Sequence, residues 1–307
     1  MKEPTSSSAG RFTVGLVQMS CGPNIEENRE KAVQGVRAAA GRGAQIISLQ
    51  ELFLTQYFCR SIDPDCFCLS ETIPGPTTEI FTSLARELNV ALVVPIFEKR
   101  TAGLYYNSAV VIGPLGQRLG IYRKSHIPDD PQFFEKYYFT PGDVGYRVFD
   151  TGFAKVGILI CWDQWYPEAA RLTALKGAEL IVYPTAIGWL ERDRGDVGSQ
   201  QREAWETVQR AHAIANGVYV ACANRVGVEG RIGESLTFWG CSFVCSPSGE
   251  VTDRASTEAD EVLVSVCERS VLEMQRREWP FFRDRRIDTY ARITERYLDE
   301  ESDRSDT

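Results

Sequence analysis

Histidine is nearly missing from this chain. His126 and His212 are the only two among 307 residues. A metal centre built from several imidazoles therefore has little to draw on. Cysteine is plentiful, with nine: Cys21, Cys59, Cys66, Cys68, Cys161, Cys222, Cys241, Cys245 and Cys267. None of them forms a CxxC pair, so structural zinc is not expected. Their number is odd, they are scattered and no export signal accompanies them, which points to reduced thiols in a cytoplasmic protein. Long apolar runs are missing too, so no transmembrane helix and no membrane partner are expected. The opening stretch "MKEPTSSSAGR" lacks the apolar core of a signal peptide. Basic blocks are also absent: net charge is -8 and the pI about 5.1, which makes nucleic acid a poor partner.

What is present is a core. At 43% hydrophobic residues the chain can bury a large interior. Residues 1–10 and the charged stretch 299–307 read as tails around one domain spanning 11–298. Arg11 to Met19 reads as a strand rich in β-branched residues. Asn24 to Gly41 reads as a helix: Asn24 caps it, Glu26 and Glu27 suit its first turn, and Ala32, Val33 and Val36 start its apolar stripe. Ala44 to Leu49 is almost continuously apolar, the mark of a strand covered on both faces. Thr77 to Leu88 reads as a helix, "ALVVPIFEK" as a strand, and "YYNSAVVIGPLGQRLGIYRK" as a hairpin turning at Gly113 to Gly116. A strand–helix–strand pattern returns from Lys155 to Tyr183. "RGAQIISLQE" and "KGAELIVYPT" share one pattern, each after a helix and each ending at a polar site. These features predict an α/β fold with two similar halves, two sheets face to face and helices outside.

Cys161 falls where an apolar strand, Val156 to Ile160, gives way to "WDQWYPEAAR". Two readings stand. A buried cysteine is often a small hydrophobe; the end of a strand before a helix is also where α/β enzymes place nucleophiles. A helix N-terminus there would stabilise a thiolate. A cysteine nucleophile needs a base. His126 lies in a loop and His212 inside a helix, where a core-facing role suits it better, so a Cys–His–Asp hydrolase is the weaker reading. Glu51 ends a buried strand, so it either faces a cleft or pairs inside the core. Lys124 ends another strand beside Arg123, and its setting alone leaves it open as surface or site.

"LQELF", "YRKSHIPD", "FFEKYYFTPGD" and "GILICWDQWYPEAAR" together resemble the four signature blocks of the nitrilase superfamily, the carbon–nitrogen hydrolases. Order and spacing agree from Phe12 to about Tyr290. The resemblance implies a four-layer α-β-β-α sandwich and a Glu51, Lys124, Cys161 catalytic set, with Glu135 in support and no metal or cofactor. It implies nucleophilic attack by Cys161, with Glu51 as proton carrier, and with Lys124 and a backbone N–H beside Cys161 holding the oxyanion. It also implies a homo-oligomer, a dimer or larger, with Tyr166 to Lys176 and Trp279 to Tyr297 as contact surfaces.

Within that family, "ELFLTQYFC", "YPTAIG" and "FFRDRR" resemble members that release putrescine from N-carbamoylputrescine. The small-molecule substrate implied is a cationic ureide. Tyr57, Trp162, Ala186 and Glu191 are the expected pocket residues, with Trp162 and Asp163 suited to a cationic alkylamine. Asp193 is a second candidate for the acid that holds the amine. β-Ureidopropionase, N-carbamoyl-D-amino acid hydrolase and ω-amidase chemistry are the alternatives, followed by a non-catalytic scaffold.

Overall fold

Val14, Leu16, Ile46 and Ile47 are all withdrawn from water, and the strands that carry them begin the first half of the molecule. The computed structural model describes residues 10–191, 195–231 and 233–298. The first half runs β1 (Arg11–Gln18), α1 (Ile25–Gly41), β2 (Ile46–Leu49), α2 (Pro76–Leu88), β3 (Ala91–Thr101), β4 (Leu104–Ile112) and β5 (Arg118–Arg123). Next come α3 (Glu135–Tyr138), β6 (Val148–Asp150), β7 (Lys155–Ile158), α4 (Pro167–Leu175), β8 (Leu180–Pro184), β9 (Gly188–Leu190) and α5 (Asp196–Asn216). The chain ends with β10 (Tyr219–Ala223), β11 (Val226–Glu229), β12 (Leu236–Trp239), β13 (Phe243–Cys245), β14 (Val251–Arg254), β15 (Glu261–Glu268) and α6 (Arg269–Glu278).

One six-stranded sheet has the order β15-β1-β2-β3-β4-β5, the other β14-β13-β10-β8-β7-β6. They match strand for strand. In each, three parallel strands (β1, β2, β3 and β7, β8, β10) are flanked by antiparallel neighbours. The two expected halves are these β-α-β-α-β units. Between the sheets, Phe12, Val14, Leu16, Val93 and Val111 of one share a core with Val156, Ile158, Leu180, Val182 and Val220 of the other. On the outer face of the first sheet, Ala32, Val36, Phe81 and Leu84 of α1 and α2 pack against Ile47, Leu92 and Val110. The layers are therefore α-β-β-α, as expected.

Local chemistry sets the element ends. The Asn24 side chain accepts from the N–H groups of Glu26 (3.0 Å) and Glu27 (3.4 Å), which starts α1. β2 begins at Ile46, two residues later than expected. A third sheet, β11-β12-β9, was not legible beforehand; its strands have three or four residues. The expected tails lie outside the described residues except for Gly10, whose carbonyl accepts from Arg269 N at 2.8 Å. Among the described residues no helix is long and apolar enough to cross a membrane.

Candidate active site

The carboxyl ends of the strands assemble the site. Glu51 follows β2, Lys124 follows β5 and Cys161 lies just beyond β7. Such edges are where open α/β sheets leave room for ligands.

Cys161 opens a 3-10 turn, Cys161–Trp165, with φ +41. A side chain in that left-handed region costs energy and persists only where its surroundings impose it. The surroundings here are explicit. Asp163 Oδ2 accepts from Ile160 N (3.0 Å) and Tyr122 OH (2.7 Å). Asp163 Oδ1 accepts from His126 N (2.9 Å) and lies 2.7 Å from His126 Nδ1. Gln164 Oε1 accepts from Trp205 Nε1 (2.8 Å) and Gln209 Nε2 (2.6 Å), and its carbonyl meets His212 Nε2 at 2.8 Å. Both histidines thus steady the turn. His126 stacks on Tyr166, ring centroids 3.6 Å apart. His212 is buried, which lowers its basicity. Asp163 corrects an expectation: it is fully buried and committed to these bonds, so it offers no acid to a ligand.

A second cluster faces the thiol. Lys124 Nζ donates to Glu51 Oε1 (2.8 Å) and Glu135 Oε2 (2.6 Å), and all three side chains are buried. Asn107 Nδ2 donates to the same Glu51 oxygen at 2.7 Å. Tyr57 OH donates to Glu135 Oε1 at 2.6 Å. That leaves Glu51 Oε2 buried without a partner among the described residues. Burial works against the Lys124 charge, but Glu135 and Glu51 outweigh it and hold the ammonium well above the ordinary amine range. Burial pushes the Glu135 carboxyl up to about 7, with Lys124 opposing and Glu51 adding. Burial also pushes the Cys161 thiol well up; Glu51 adds to this, while Lys124 and a hydrogen bond from the Ala186 backbone oppose it. The expected thiolate at a helix N-terminus is therefore not what the fold provides. α4 starts only at Pro167, and a buried sulfur beside two carboxylates favours its neutral form.

Arg225 and Glu229 were not foreseen. Fully buried Arg225 donates to the carbonyls of Glu51 (3.1 Å), Leu52 (2.7 Å) and Thr55 (2.8 Å) and pairs with Glu229 at 2.7 Å. Glu229 Oε2 in turn accepts from Tyr57 N at 2.6 Å. The pair clamps the segment from Glu51 to Tyr57, including Leu52 at φ +50. The hint was "NRVGVE", two opposite charges four residues apart in an apolar stretch. Asn107 had a similar hint, a lone amide in the apolar run of β4.

A cavity of about 440 Å³ opens beside the cluster. Cys161, 6% exposed, reaches it, as do Glu135, Trp162, Trp165 and Ala186. Trp162 and Ala186, two of the expected pocket residues, line this cavity. Tyr57 is not: it is fully buried, and its hydroxyl serves Glu135. Glu191 does not line the cavity either. Its Oε2 accepts from Gly233 N (2.8 Å) and Ser235 Oγ (2.8 Å), fastening a neighbouring loop. Asp193 lies outside the described residues. Among the described residues no group of three or more metal-ligating side chains comes together.

Residues 13–277 match the family model described as carbon-nitrogen hydrolase. The chain is 44% identical over 283 residues to a Solanum lycopersicum protein named N-carbamoylputrescine amidase, covering 91% of this chain and 93% of that relative. It is 40% identical to a Francisella tularensis protein named citrullinase, covering 92% and 98%. A crystal structure of a carbon-nitrogen hydrolase from Helicobacter pylori G27 superposes with TM-score 0.90 at 44% identity, covering 94% of this chain and all of that one.

Proposed function

Because the chain belongs to the carbon–nitrogen hydrolase family, we propose that it hydrolyses N-carbamoylputrescine to putrescine, ammonia and carbon dioxide, with Cys161 as nucleophile. One arrangement carries this reading: a cavity-facing sulfur beside a buried Lys124 that bridges Glu51 and Glu135, with Glu51 Oε2 unpartnered among the described residues. A free carboxylate oxygen next to a thiol kept neutral by burial is a proton acceptor waiting for its proton.

The chemistry follows from these groups. Cys161 Sγ attacks the ureido carbonyl while its proton passes to Glu51 Oε2. Lys124 faces the oxyanion, where a donor of this kind is worth about 10²–10³ in kcat. Glu51 returns the proton to the departing NH₂, ammonia leaves, and an alkylcarbamoyl thioester stays on Cys161. Water then attacks, giving up a proton to Glu51. The thiol is restored, and the carbamic acid released falls apart to putrescine and carbon dioxide. Glu135, tied to Lys124 and Tyr57, positions the ammonium.

The substrate assignment draws on the name of the Solanum relative and on the charge of the cavity. Its described lining carries acids and tryptophans and no arginine or lysine. That suits a cationic tail better than a carboxylate. Ammonia release from N-carbamoylputrescine, L-citrulline and N-carbamoyl-β-alanine tests it. Highest kcat/KM on N-carbamoylputrescine is expected; preference for either carboxylate-bearing ureide would overturn the assignment.

The chain also assembles with copies of itself in this reading. Leu175 on α4 is 43% exposed and Ile293 is 65% exposed, on the segments Tyr166 to Lys176 and Trp279 to Tyr297 that the family resemblance implies as contact surfaces. Its nine free thiols support a reducing, cytoplasmic setting.

A further inference from the structure

Resting on that reading, we propose that Asp130 fixes the distal ammonium of the substrate and so determines the preference for a cationic ureide. Asp130 and Glu135 are the two carboxylates among the described residues that line the cavity. Glu135 is already engaged by Lys124 and Tyr57. The Asp130 carboxylate has no hydrogen-bond or ion-pair partner among the described residues, so its charge is available to a ligand.

The backbone holds Asp130 in place before any ligand arrives. Asp130, Pro131, Gln132 and Phe133 form a tight turn: Phe133 N donates to Asp130 O at 2.8 Å, and Gln132 takes φ +64. Proline at the second position and a positive φ at the third mark a type II turn. The residue before a proline is itself restricted in conformation. Beyond the turn, the Phe133 ring packs 5.7 Å from that of Tyr57, and Phe134 N donates to Cys59 O at 2.9 Å. The turn is therefore anchored to the same Tyr57 that supports Glu135. Trp162 and Trp165 line the cavity too, giving the alkyl chain apolar cover.

An ammonium held by a carboxylate whose backbone is already set in a turn gains affinity with only the side chain left to order. The ureido end needs the buried cluster, and the cationic end needs Asp130. The binding energy at the far end is available to hold the carbonyl over Cys161.

The test compares two substrates of equal chain length, N-carbamoylputrescine and N-butylurea, in native protein, Asp130→Asn and Asp129→Asn. Asp129 neighbours the turn without lining the cavity. The readout is the ratio of kcat/KM for the charged substrate to that for the neutral one. Asp130→Asn is expected to cut this ratio about tenfold, through KM of the charged substrate. Asp129→Asn is expected to keep it. The native ratio should also fall as salt is raised, and that dependence should shrink in Asp130→Asn. An unchanged ratio in Asp130→Asn, or an equal fall in both variants, would overturn the role of Asp130 while leaving the amidase reading intact. Native protein that cleaves N-butylurea but not N-carbamoylputrescine would overturn both.

Discussion

Asn107 contributes one hydrogen bond to the site, from Nδ2 to Glu51 Oε1 at 2.7 Å. With Lys124 on the same oxygen, that bond turns the other carboxylate oxygen toward its unpartnered position. Hydrogen bonds to charged groups are worth about 1.5–3 kcal/mol. Asn107→Ala should therefore lower kcat by about 10- to 100-fold with little change in KM. Steady-state kinetics decide this, and an unchanged kcat would remove Asn107 from the account. Glu135 makes a prediction about pH. Its carboxyl is pushed up to about 7, mainly by burial, whereas an unfolded glutamate titrates near about 4.3. Between those values the folded chain holds a proton that the unfolded chain has released. Its stabilising contribution is complete below the lower value and is lost as pH rises through the higher one. Glu135→Gln has no such proton. Melting temperatures followed from about pH 5 to about pH 8 should fall more for the native protein than for the variant. Parallel curves would contradict this.

At the scale of elements, the site depends on loops that the sheets hold in place. Arg225 lies between β10 and β11 and ties the chain beyond β2 by three carbonyl bonds and the Glu229 pair. Removing one partner of a buried pair leaves the other uncompensated, at a cost of about 3–5 kcal/mol. Arg225→Ala should lose that much in denaturant unfolding; a loss below about 1 kcal/mol would show that the clamp is dispensable. The elements themselves were largely legible in the sequence. The cap at Asn24, the apolar stripe of α1 and the runs of β1, β2 and β8 follow from periodicity and propensity. Cys161, Glu51 and Lys124 were legible as strand-end residues, and their family resemblance joined them. Partners such as Asn107, Arg225 and Glu229 were not, because their bonds to the segment from Glu51 to Tyr57 span 56 to 174 residues of sequence. In the sequence, Tyr57 suits a pocket and Asp163 suits an amine. Their burial, which sends each to an internal partner, is a property of the folded packing.

The whole molecule is two matched α/β units whose sheets share one core, with the site at the sheet edges. Its surface has an apolar face where α4 and α5 meet the segment carrying Tyr290 and Ile293, around a groove of about 520 Å³. A charge there should oppose the proposed self-assembly. Leu175→Glu is expected to lower the mass seen in sedimentation equilibrium, and an unaltered mass would contradict a contact through this face. The proposed reaction turns on where the carbonyl carbon of the substrate goes. Acid quenching during turnover of N-carbamoylputrescine, followed by intact-mass and peptide analysis, tests that most directly. An alkylcarbamoyl group on Cys161, absent from Cys161→Ala, is the predicted result. Turnover with no such group on Cys161, or turnover that survives in Cys161→Ala, would contradict it.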